Sequence, residues 1–168
     1  LKIYGRPKSG SKWIVFVNDF NFWLNESAIE ESSLDMVKIQ NELKSILQKE
    51  SGFAHVITEN DYINQKLPPG QFTRQINKTY FKGRSGHIIG IVKPFFVNLN
   101  RATATHMTGY SYDRTVPILF SGFGIRNGVF TRAEVIDIAP TLSFMLGIIP
   151  PALSEGRVLK EALKIATQ

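Results

Sequence analysis

Two near-continuous apolar runs, Ile88-Ile89-Gly90-Ile91-Val92 and Val116-Pro117-Ile118-Leu119-Phe120, set the tightest limit on how this chain can fold. Runs of that length without alternation are the pattern of strands covered on both faces, so they predict a larger sheet flanked by helices. At 168 residues, 43% hydrophobic and 20% charged, the chain has the size and composition of one ordinary globular domain, which excludes a disordered or fibrous class. Neither run, nor the stretch from Phe16 to Leu24, reaches the roughly 20 apolar residues that span a bilayer, so no membrane span is expected. The chain begins at Leu1 without a charged start and apolar stretch, so any signal peptide is expected to lie outside it.

Upstream of these runs the texture differs. Trp13-Ile14-Val15-Phe16-Val17 and the stretch from Phe20 to Leu24 read as one or two strands split near Asn18-Asp19. Met36, Ile39, Leu43, Ile46 and Leu47 recur at three- and four-residue spacing, which predicts a helix capped by Ser32 or Ser33 and ended by Gly52. Phe53-Ala54-His55-Val56-Ile57 follows as a strand, completing a β-α-β unit, and a short helix is expected over residues 72–79. Downstream, Asp137-Ile138-Ala139-Pro140-Thr141-Leu142 opens a helix with Pro in its first turn, closed by Gly147, and residues 158–166 read as a short final helix. The chain therefore divides into an α+β segment over residues 1–80 and a sheet-and-helix segment over residues 81–168.

The formal charge of +6 favours a phosphate-bearing or otherwise anionic ligand through long-range steering. Its basic residues are scattered rather than interleaved with aromatics, so no specific nucleic-acid partner is expected. With no cysteine, a disulfide scaffold, a thiol nucleophile and a Cys-based zinc site are excluded. The three histidines are then the natural candidates for metal or acid-base chemistry. His55 lies mid-strand and His87 follows Arg84-Ser85-Gly86 at the mouth of a strand, and both are read as structural. His106, in the small polar segment Thr105-His106-Met107-Thr108-Gly109-Tyr110, is the one candidate functional histidine. Gly122-Phe123-Gly124 marks a turn, Arg84 is read as a structural ion-pair former and Asp113 as a turn cap, and no residue is singled out as catalytic.

Three stretches go further. Arg84-Ser85-Gly86-His87-Ile88-Ile89 running on to Lys93-Pro94-Phe95-Phe96, the stretch Thr105-His106-Met107-Thr108-Gly109-Tyr110-Ser111-Tyr112-Asp113-Arg114-Thr115-Val116-Pro117, and Ile136-Asp137-Ile138-Ala139-Pro140-Thr141-Leu142 with the later Glu155-Gly156-Arg157-Val158-Leu159 occur in this order. In order and spacing they resemble motifs of the alkaline phosphatase superfamily, of the bacterial zinc-dependent monoesterase type related to the nucleotide pyrophosphatase/phosphodiesterases. The resemblance implies an α/β fold, the C-terminal portion of an alkaline phosphatase-like three-layer sandwich carrying a small α+β insert. It implies two zinc ions in the intact enzyme, hydrolysis of a phosphate monoester, or of a diester, through a phosphoryl-Thr/Ser intermediate, and a periplasmic or secreted location. His106 stands at the family's metal-ligand position. The nucleophile and the other ligands of the family precede anything that matches here, so the isolated chain is expected to be inactive, with self-association through exposed sheet surface. Met107 replaces the family's glycine and His87 its aspartate. A non-catalytic stand-alone domain with a binding or structural role is the alternative.

Overall fold

The computed structural model describes residues 4–96, 106 and 108–164. Two compact units divide after Thr115, and each is described separately. The first unit is built on a four-stranded antiparallel sheet of β1 (Ile14–Asn18), β2 (Asn21–Leu24), β3 (Phe53–Thr58) and β4 (Ile88–Val92), in the order β1-β2-β4-β3. Between β2 and β3 run α1 (Glu26–Glu31) and α2 (Met36–Leu47), and between β3 and β4 run α3 (Glu59–Ile63) and α4 (Gln71–Thr79). Because β2 and β3 both pair antiparallel with β4, they point the same way with β4 between them. The β-α-β unit read from sequence is therefore a split one, its two strands parted by a later strand. The sheet crosses residue 80, with β4 entering from the far side of the division drawn from sequence texture.

β1 and β2 are joined by a two-residue hairpin in which Asp19 and Phe20 have φ of 47° and 63°. Positive φ at both central positions matches the right-handed strand twist. A phenylalanine there is unusual. Tertiary contacts hold it: the Phe20 ring packs edge-on against Phe53 at 5.6 Å, and its carbonyl accepts from Gly90 N–H at 2.8 Å. Alternation along the strands sorts the two faces. Val56 and Ile88 turn to one side and join Trp13, Leu24, Ala28, Ile29, Ile39 and Leu43, from β2, α1 and α2 and the approach to β1, in the core, where Ile88 has no solvent exposure. The opposite face, carrying His55, Ile57, Ile89 and Ile91, meets α4, with His55 edge-on to Phe72 at 6.2 Å.

Capping explains where the helices sit. Asn25 accepts from Ala28 N–H and starts α1, a helix too short to show in the apolar periodicity. Asp35 accepts from Lys38 N–H at 2.7 Å and starts α2. The caps expected at Ser32 or Ser33 are displaced because Ser32 ends α1 and Ser33 turns at φ 54°. α2 stops at Leu47, ahead of Gly52.

The second unit holds a 3-10 turn at Val135–Asp137, α6 (Ile138–Leu146) and a 3-10 turn at Lys160–Ala162; α5 (Ser111–Arg114) belongs to the first unit. Gly147, at φ 67°, closes α6 as expected, with Ile148 N–H returning to Ser143 carbonyl at 3.0 Å. Two expectations fail in this unit. Residues 116–120 form no strand, and Leu119 is 91% exposed. The helix expected over residues 158–166 reduces to the turn at Lys160–Ala162, with Ile125 and Leu163 bridged and residues 165–166 outside those described. An apolar run reports the wish to be covered and says little about backbone geometry, which needs a partner strand for its hydrogen bonds.

Candidate functional site

His106 is solvent-exposed, and its following residues are tied down from three directions. Asp113, in α5, accepts from Thr108 N–H at 3.0 Å and from the Thr108 hydroxyl through the same carboxylate oxygen, Oδ2. Gln75, in α4, donates through Nε2 to the Gly109 carbonyl at 2.9 Å. The Tyr110 hydroxyl donates to the Val92 carbonyl, at the end of β4, at 2.9 Å. Tyr110 also meets Phe72 edge-on at 5.2 Å and stacks on Tyr112 at 5.6 Å, and the Tyr112 hydroxyl accepts from Phe95 N–H at 2.8 Å. Burial, then the neighbouring Tyr112, pushes the Tyr110 phenol above its ordinary range, so it stays a proton donor to Val92. A Cβ at Gly109 would lie 2.1 Å from Gln75 Oε1 and 3.1 Å from a carbon of the Phe72 ring, so a larger residue would displace the Gln75 side chain.

Beside this segment a cavity of about 420 Å³ lies over the sheet face opposite the main core, bounded by Phe20, Phe72, Ile76, Ile91, Thr108 and Arg114. Its lining is largely apolar, with Arg114 and Asp19 as its basic and acidic residues.

The other sequence candidates have different surroundings. His87 Nδ1 accepts from Leu24 N–H at 3.0 Å and its Nε2 meets Glu26 Oε1 at 3.1 Å, which places the ring's one N–H proton on Nε2, donating to Glu26. An imidazole nitrogen thus does, for the backbone of β2, what a carboxylate oxygen would do at that position. Arg84 forms no ion pair among the described residues; its guanidinium lies over the Phe81 ring at 4.0 Å, and its carbonyl accepts from the Trp23 indole at 3.2 Å. The reading of Arg84 as an ion-pair former is corrected accordingly: cation–π stacking takes the place of a carboxylate. Asp113 does serve a turn, tying Thr108 back to α5. Met107 lies outside the described residues.

Among the described residues no three His, Asp or Glu side chains gather to hold a metal ion. A zinc site takes three or four protein ligands, so His106 fits one coordination position and the residues present do not make a zinc site by themselves. Gln75, which sequence reasoning passed over, is the main addition to the candidate site. Nothing in its sequence neighbourhood marks it, because its role rests on an approach between residues 34 positions apart.

No family model matches the chain. Among curated proteins it is similar to alkaline phosphatase PafA of Elizabethkingia meningoseptica, at 27% identity over 147 residues that cover 86% of this chain and 27% of that protein. It is 31% identical over 149 residues to a protein of Myroides odoratus named calcium-transporting ATPase, covering 87% and 27% of the two. Alkaline phosphatase PhoV of Synechococcus elongatus is 30% identical over 139 residues, 82% of this chain and 25% of that one. The crystal structure of wild-type PafA superposes with a TM-score of 0.77 at 27% identity, over 90% of this chain and 29% of that chain. A PafA mutant superposes with a TM-score of 0.79, over 96% and 30%. The chain thus spans about 27% of the length of the curated relatives it matches. In sequence and fold it matches part of the alkaline phosphatase superfamily.

Proposed function

We propose that this chain, as a match to part of the alkaline phosphatase superfamily, supplies one portion of a metal-dependent phosphohydrolase in which His106 is one metal ligand among several. The single observation that carries this reading is the similarity to alkaline phosphatase PafA over 86% of the chain, and His106 is assigned as a ligand from the resemblance of its own motif. The substrate class is a phosphate ester, with monoesters ahead of diesters, and the working location is the periplasm or cell surface. Zinc, when bound in the whole enzyme, would supply Lewis-acid stabilisation of charge on phosphate oxygens. This chain's own part is to present an exposed imidazole on a braced segment, and by itself it is inactive.

The test compares the 168-residue chain with a version extended upstream by the sequence its relatives carry. Zinc is measured by elemental analysis and turnover by p-nitrophenyl phosphate hydrolysis. Zinc and turnover confined to the extended form are expected, with His106→Ala lowering both at least about tenfold, since loss of a protein ligand weakens the site more than loss of its supporting groups. Unchanged zinc and turnover in that variant would refute the assignment. A second reading, a non-catalytic domain with a binding or structural role, is favoured by the single candidate ligand among the described residues. It predicts neither zinc nor turnover in either form.

A further inference from the structure

We propose that Asp113 and Gln75 are positioning residues that fix the direction in which His106 is presented, a role resting on the reading of His106 as a functional side chain. The geometry is an anchor set just downstream of the imidazole. Two residues after His106, Thr108 gives both its backbone N–H and its hydroxyl to one oxygen of Asp113. The next residue, Gly109, gives its carbonyl to Gln75 Nε2. The third, Tyr110, reaches the Val92 carbonyl and is wedged between Phe72 and Tyr112. Three consecutive residues are thereby fastened to α5, α4 and β4.

The two anchors have opposite polarity. Asp113 must accept, because both Thr108 groups that face it are donors, whereas Gln75 must donate, because Gly109 offers it a carbonyl. The single O–H of Thr108 is committed to Asp113, and its backbone N–H goes to the same oxygen, so the carboxylate holds the backbone in one orientation rather than merely filling space. Gly109 adds a steric condition, since any side chain would meet Gln75. His106 is exposed, and the described contacts that lie nearest to it along the chain are those of this downstream bracing, from which its direction follows.

The test uses the 168-residue chain, amide hydrogen exchange at Thr108, and NMR relaxation of the His106 ring. Asp113→Ala is expected to speed Thr108 exchange about tenfold, the loss of a charge-assisted bond, and to raise nanosecond ring mobility at His106. Asp113→Asn keeps an acceptor oxygen and restores most of the protection. Gln75→Ala also raises ring mobility, and Gln75→Glu, which has no donor for Gly109, fails to rescue it. Where Asp113→Ala does not fold, Thr108→Val removes the hydroxyl donor alone and is read in the same way. Unchanged His106 ring mobility across Asp113→Ala, Thr108→Val and Gln75→Ala overturns the proposal whatever happens to exchange. Failure of His106→Ala to affect the extended enzyme overturns the ligand reading instead, and the relaxation experiments are independent of that outcome.

Discussion

Asp61 shows how one carboxylate can join local and tertiary order. Its side chain accepts from Thr58 N–H at 2.9 Å and from Lys44 Nζ at 2.7 Å, while Thr58 Oγ1 accepts from Asp61 N–H at 3.0 Å, a reciprocal capping box tied to α2. Burial pushes the carboxyl upward, and the Lys44 ammonium with the two Thr58 bonds outweighs it, leaving the group below its ordinary value near 3.8. A depressed folded value means that the stabilisation is complete above the unfolded value and is lost as pH falls through the folded one. Asp61→Ala is therefore expected to cost about 2–4 kcal/mol at pH 7 in urea unfolding, and to flatten the loss of stability below about pH 4. At His87 the prediction concerns chemistry at fixed shape. His87→Ala leaves Leu24 N–H without its acceptor and is expected to cost about 1–3 kcal/mol, whereas His87→Asp, which offers a carboxylate oxygen, should recover part of that loss in thermal melts. Sequence could flag His87 as structural, yet the partner 63 positions away was not legible in it.

Elements were legible where periodicity was strong and obscure where a partner decided the outcome. α2, α4 and the four strands lie close to the positions read from sequence; α2, α4, β2, β3 and β4 each bury residues, whereas β1 is exposed from Val15 to Asn18 and is held by its pairing with β2. α1 escaped because six residues leave too short a pattern. Residues 116–120 misled because their apolar content suggested a ladder that no described strand supplies. The best-explained element boundary is the meeting of the turn before α6 with Glu155-Gly156-Arg157. Asp137 accepts from Arg157 N–H at 2.8 Å and from Glu134 N–H at 2.9 Å, and a Cβ on Gly156 would lie 2.1 Å from the Ile136 carbonyl oxygen. Gly156→Ala must displace backbone, so it is expected to cost about 1–3 kcal/mol and to lower the melting temperature by several degrees. The bond from Glu134 N–H, opposed by burial and joined by that from Arg157 N–H, holds Asp137 below its usual range, so its stabilisation too is lost only as pH falls through that depressed value.

At the scale of the whole molecule, apolar surface is distributed unevenly. α6 reads Ile138-Ala139-Pro140-Thr141-Leu142-Ser143-Phe144-Met145-Leu146, apolar nearly all round, yet its buried residues are Pro140, Thr141 and Ser143. Leu119, Phe123, Ile149 and Leu153 are each at least nine-tenths exposed. A helix of that character is normally covered on most sides, and patches beyond a few hundred Å² tend to associate. The 168-residue chain is expected to bind a hydrophobic dye and to grow in apparent mass with concentration, and replacing Leu119, Phe123, Ile149 and Leu153 by serine should suppress both in fluorescence and light scattering. No described helix is long and apolar enough to cross a membrane.

The split β-α-β unit carries a consequence for synthesis. β4, which pairs with both β2 and β3, is the last of the four strands to leave the ribosome, roughly 30 residues after β3 ends. Until it emerges, β2 and β3 have no shared neighbour, and α1 and α2 can only cover part of a sheet with a gap at its middle. The β1–β2 hairpin can pair locally, but the β2–β4 and β3–β4 ladders cannot form before β4 is made. Closure of the sheet therefore waits for residues 88–92, which bring β2 and β3 their shared neighbour.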